Sequence, residues 1–177
     1  MIFFKKIFII LLAMFISLSI MSPKVFAQGI GNNQDTGYYD ENGNYYNPET
    51  GEYFIWEQNS RSTAKVFSFK IRYSVTSNTF RLNSSTVRIR VYRATFVKEN
   101  NTPASCCNSH QFQVDLRREA ILDTHNIATF YAPFISTQTW NLGGGFYTSE
   151  NYYVQIGNID NLPSDVYLAG SGEVYCS

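Results

Sequence analysis

Thr86-Val-Arg-Ile-Arg-Val-Tyr-Arg-Ala-Thr-Phe-Val97 sets Val87, Ile89 and Val91 in alternation with Arg88, Arg90 and Tyr92. A period of two puts the aliphatics on one face of a β-strand and the arginines on the other, so the stretch reads as a half-buried strand. Beyond Tyr92 the phase slips. Arg93 falls in step with the aliphatics, while Ala94 and Phe96 fall in step with Arg90. One extra residue at Tyr92 or Arg93, a β-bulge, restores a continuous apolar face.

The same reading extends in both directions. Upstream, Phe67, Phe69, Ile71, Tyr73 and Val75 alternate with Ser68, Lys70 and Arg72, which predicts one long strand before a turn at 76–78. Phe80 and Leu82 mark a short strand. Downstream, residues 99–109 form a loop, and Phe112, Val114 and Leu116 alternate with polar residues. Further strands are expected over 127–132, 137–142, 152–156 and 166–175, punctuated by Pro133, Gly143-Gly144-Gly145 and Asn158 to Ser164. About eight short strands with turn signals between them and no helix predict an all-β, antiparallel β-sandwich.

The glycine-rich turn, Tyr152-Tyr153-Val154-Gln155-Ile156 and the closing strand together resemble the last third of immunoglobulin-like and prepeptidase-C-terminal-type accessory modules of secreted bacterial proteins. The resemblance implies a sandwich that binds or assists rather than catalyses. It also implies that one of the two tyrosines forms a corner, hydrogen-bonding back to the backbone. The Cys-Trp-Cys core of a true immunoglobulin domain is missing.

The first residues have another character. Lys5 and Lys6, the apolar run Ile7 to Ile20, and Val25-Phe26-Ala27 are the parts of a secretory signal peptide, with cleavage expected after Ala27; a membrane anchor is the competing reading. Residues 1–27 are therefore assigned to the signal and 28–62 to a tether, leaving 63–177 as the sandwich. The tether contains Tyr38-Tyr39-Asp40-Glu41-Asn42-Gly43-Asn44 followed by Tyr45-Tyr46-Asn47-Pro48-Glu49-Thr50-Gly51-Glu52, an imperfect repeat. Its acidic, aliphatic-poor composition favours a flexible connection, with two or three short hairpins as the ordered alternative. The Tyr-Tyr and Asp-Glu-Asn-Gly-Asn-Tyr words resemble the aromatic and glycine repeats of Gram-positive cell-wall-binding proteins, whose units are longer and contain tryptophan.

Export places Cys106, Cys107 and Cys176 in an oxidising compartment. A bond from Cys176 to Cys106 or Cys107 is expected, closing about seventy residues and stabilising the fold by roughly 4 kcal/mol in the chain-entropy model. The third thiol is left free or links two chains. Cys107 and His110 with Cys176 lack the closely set ligand pairs of a zinc site, so neither metal nor other cofactor is expected. Asp40 to Asn44 has calcium-type oxygens with its glycine in the wrong place for an EF-hand loop.

Charge is unevenly spread. The 177-residue chain is formally neutral; without residues 1–27 it carries 11 basic and 14 acidic side chains. Nine of the bases fall in 61–98, where there is no acid, while 28–60 has six acids and no base. A net acidic chain has no general affinity for nucleic acid. The basic strands do, however, offer a binding patch at Lys70, Arg72, Arg88 and Arg90, on the premise that their strands are neighbours. Its partner is an anionic cell-wall polymer or an acidic protein, unless acids of the same chain neutralise it. The function expected is a secreted, non-catalytic binding module associated with the cell envelope. A membrane-active effector and an extracellular enzyme are the other classes, and no set of acid, base, nucleophile and orienting group supports the last.

Overall fold

The computed structural model describes residues 36–57, 63–120 and 125–177. The signal-like segment, the start of the expected tether and residues 58–62 lie outside the described residues. In chain order the strands are β1 (Tyr38–Tyr39), β2 (Tyr45–Tyr46), β3 (Tyr53–Trp56), β4 (Ala64–Ile71), β5 (Ser74–Thr76) and β6 (Phe80–Arg81). They continue as β7 (Val87–Val97), β8 (His110–Arg118), β9 (His125–Ala132), β10 (Gln138–Gly143), β11 (Asn151–Asn158) and β12 (Tyr167–Cys176). One sheet has seven strands in the order β1-β2-β3-β4-β12-β7-β10; the other has β5-β11-β8-β9, with β6 also paired to β11. All named pairings are antiparallel.

The alternation does what it predicts. Val87, Ile89 and Val91 are fully buried with Phe67, Phe69 and Ile71 beneath the seven-stranded sheet. Phe112, Val114, Leu116, Val154 and Ile156 face them from the other sheet. Phe69 meets Phe112 across the interface with ring centroids 6.1 Å apart. The bulge falls where the phase slips: Ser171 pairs with Arg93 and Gly172 with Val91, leaving Tyr92 as the extra residue. Ala94 and Phe96 thereby turn inward and Arg93 turns out to solvent.

Three expectations are corrected. The long strand over 65–75 is two, because the chain bends at Arg72-Tyr73 and changes sheets. The buried Glu52 carboxylate holds that bend, accepting from the Arg72 and Tyr73 amides at 2.7 and 2.9 Å and from the Thr50 hydroxyl at 2.9 Å. Second, residues 36–57 are part of the sandwich rather than a tether. Each aromatic pair makes a strand, and one residue of the second and third pairs, Tyr45 and Phe54, enters the core while its neighbour faces out. The turns between them are closed by side chains. Asp40 accepts from the Asn42 and Asn44 amides, and the Asn44 amide chiefly holds its carboxyl below the usual range. Asn47 accepts from the amides of Glu49 and Thr50, and Gly43 and Gly51 supply the positive φ angles. The Asp40 oxygens thus serve the turn.

Third, the disulfide joins Cys106 to Cys107, and Cys176 is a free, buried thiol. Cys176 pairs with Val87 at the start of β7, whereas Cys106 and Cys107 follow its end. The loop carrying them folds back on Phe96 and Val97, which still leaves more than about 20 Å of strand between it and Val87, and a disulfide needs Cα atoms within about 7 Å. Burial of Cys176 also removes the accessible thiol that a disulfide-linked dimer requires. Cys107 is committed to its neighbour and a His110 ring nitrogen lies 3.0 Å from Asn158 Oδ1, so Cys107 and His110 are both engaged within the chain.

The expected tyrosine corner is present: the Tyr152 hydroxyl accepts from the Tyr147 amide at 2.9 Å.

Candidate functional site

The four cations do not form one patch. β12 lies between β4 and β7, and β6 belongs to the other sheet. Lys70 sits opposite Ala169 while Arg90 sits opposite Glu173, four residues further along β12 or roughly 13 Å. Lys70 is only 3% exposed. Its ammonium donates to the Glu99 carbonyl and to Asn101 Oδ1 (3.0 Å) and lies 4.7 Å from the centre of the Tyr167 ring. Burial pushes it below the ordinary lysine range, with Glu99 opposing. Arg72 lies beyond the strand end, over the Tyr73 ring. Lys70 thus ties down the 98–101 loop, and the Arg72 amide is bonded into the bend.

Arg88 and Arg90 do share the outer face of the seven-stranded sheet, and the bulge adds Arg93, which sequence reasoning did not include in the patch. The phase slip was the signal for it. Arg90 is held on three sides: its guanidinium donates to Glu173 Oε1 at 2.8 Å, lies 4.1 Å from the centre of the Tyr175 ring, and is flanked by Tyr92. Acids of this chain therefore answer one arginine. Among the described residues neither Arg88 nor Arg93 has a carboxylate at ion-pair distance.

Across β12 and β4 from Arg93 stand the outward tyrosines of the repeat. Tyr38 pairs with Tyr46, Tyr46 with Tyr53, and Tyr53 with Lys70, so the three rings form a row across β1, β2 and β3. Between that row and Arg93 the outer face carries Lys70, which is paired with Tyr53 and tied to the 98–101 loop, and the small residues Ser68, Ala169 and Ser171. Burial raises the Tyr53 phenol above its ordinary value, and Arg93, near enough to act through charge, opposes the rise. Several other rings lie outside this row. Trp56 packs on Phe54 and Phe80, Tyr152 is buried, and Trp140, Tyr147 and Tyr153 lie elsewhere.

Burial, reinforced by a hydrogen bond to the Glu173 carboxylate, pushes the Tyr92 phenol up to about 12. The unfolded chain ionises near 10. Protonated Tyr92 thus favours the folded state fully below pH 10, and this contribution disappears as the pH climbs to about 12. An ultraviolet titration should show one tyrosine ionising late, and Glu173→Gln should bring it down; an unchanged curve in that variant would place Tyr92 away from Glu173.

The fold and this face define an antiparallel β-sandwich with a tyrosine- and arginine-bearing outer sheet. No family model matches the sequence and no curated protein matches it by sequence. Among solved structures it is similar to TmCBM61 in complex with β-1,4-galactotriose, at 6% identity and a TM-score of 0.33, over 80% of this chain and 87% of that one. It is also similar to the C-terminal family 22 carbohydrate-binding module of Clostridium thermocellum Xyn10B, at 14% identity and a TM-score of 0.37, over 78% and 96%. A third is the family 16 carbohydrate-binding module-2, at 10% and 0.30, over 85% and 97%. At these values the functional reading rests on the residues of this chain alone.

Proposed function

We propose that the protein is an exported, non-catalytic binding module that holds an anionic polymer of the cell envelope on the outer face of its seven-stranded sheet, through Arg88, Arg90 and Arg93. The register of β7 carries this reading: three guanidinium groups share one strand face, with a single ion-paired carboxylate opposite the middle one. Like charges on one sheet face repel, so an anionic ligand gains both attraction and relief of that repulsion. Arg90, fixed by Glu173 and Tyr175, orients the patch; Arg88 and Arg93 supply the charge that a ligand meets. The lysine-led apolar run and Ala27 support export.

Retention on isolated envelopes should weaken as salt shortens the screening length below about 8 Å. An Arg88→Ala/Arg93→Ala variant should bind at least about tenfold more weakly, the effect of losing roughly 1.4 kcal/mol. Retention indifferent to both salt and the double substitution would refute the proposal.

A further inference from the structure

The repeat supplies more aromatic surface than the core uses. Tyr45 and Phe54 face inward and are buried, which accounts for one residue of each pair. Their outward neighbours complete the row Tyr38, Tyr46 and Tyr53; Tyr38 is 54% exposed, and its ring lies 6.0 Å from that of Tyr46 with 32° between their planes. From β1 to β7 the face spans five strand spacings, roughly 24 Å. It is aromatic at one end and cationic at the other, with the loop-bound Lys70 and the small residues Ser68, Ala169 and Ser171 between.

We infer that the polymer bound on this face is a carboxylate-bearing polysaccharide, with sugar rings laid on Tyr38, Tyr46 and Tyr53 and carboxylates taken by Arg93 and Arg88. This rests on the binding reading above and names its ligand. A tyrosine offers a flat apolar body with a polar tip, which matches a pyranose with an apolar C–H face and a hydroxyl edge. The planar guanidinium fork matches a carboxylate in two parallel hydrogen bonds. An acidic peptide satisfies the arginines alone, and a polyol phosphate chain brings no ring to the tyrosines. A neutral glycan leaves the arginines unanswered.

The test uses the chain as exported and four probes in calorimetry: polygalacturonate, dextran, poly-glutamate and a polyol phosphate. Polygalacturonate should bind most tightly. Tyr38→Ser/Tyr46→Thr should weaken that binding at least tenfold and leave the weaker poly-glutamate binding unchanged, whereas Arg88→Ala/Arg93→Ala should weaken both. Tyr38→Ser alone, at the most exposed position of the row, keeps the test valid where the double variant fails to fold. Poly-glutamate or polyol phosphate binding as tightly as polygalacturonate, or tyrosine variants without effect, would overturn the sugar assignment and leave the charge reading standing. Polygalacturonate binding that ignores the arginines, or dextran binding equally well, would sink the charge reading as well. No binding of polygalacturonate overturns the inference.

Discussion

A Phe54→Ala variant should lose about 4 kcal/mol of stability and unfold more than about 10 °C below the parent chain. Phe54 is fully buried, stacks on Phe67 with centroids 5.4 Å apart and takes the edge of Trp56 at 4.8 Å. Truncation therefore removes a large apolar side chain from beneath two strands and leaves a cavity that rings on either side cannot fill without leaving their rotamers. Tyr38→Ser, two strands away on the open face, should cost little by comparison. Equal melting temperatures for Phe54→Ala and the parent would mean that β1 to β3 contribute nothing to the core, and the tyrosine row would lose its rigid support with them.

Gly172→Ala should cost about 3 kcal/mol, the upper range for an overpacked core. A Cβ at Gly172 would lie 2.4 Å from the Arg90 carbonyl oxygen and 3.0 Å from the Phe67 ring; at Gly170 it would lie 2.5 Å from the Arg93 carbonyl and 2.6 Å from the Phe69 ring. The nearest atoms are backbone, so no rotamer change relieves the contact. Either β7 moves or the strands part, and the carbonyls that would move belong to Arg90 and Arg93. Chemical denaturation measures the loss of stability. The same variant should bind its ligand less well than its remaining folded fraction predicts, because the displaced strand carries the arginines. Wild-type stability for Gly172→Ala would show that β7 and β12 do not approach as closely as described.

These glycines show how far the sequence could be read. Gly170-Ser171-Gly172 inside a strand signals a bulge or a tight bend. The bulge proves to be on the partner strand, and the glycines are there because Phe67 and Phe69 lie against them. Strand identity, the apolar faces and the bulge near Tyr92 were legible because period two survives whichever neighbour a strand acquires. The repeat was misread for the complementary reason. A unit with two aromatics and no aliphatic run has too little apolar surface to fold alone, and only joining the edge of β4 makes one of its aromatics a core residue. The binding patch failed in part for the same cause, since alternation assigns Lys70 and Arg90 correctly to outer faces but says nothing of the strand between them.

The sequence by itself determined an all-β chain, the inward and outward faces of the strands from β4 onward, and a bulge at Tyr92 or Arg93, because these follow from local stereochemistry and side-chain hydrophobicity. Tertiary structure alone decided that β12 separates β4 from β7, that Lys70 is buried against the 98–101 loop, that Cys176 lies at the other end of β7 from the Cys106 loop, and that three tyrosines share the outer face with the arginines. Those are matters of strand order and register between segments far apart in the chain, and they are set by packing across both sheets at once.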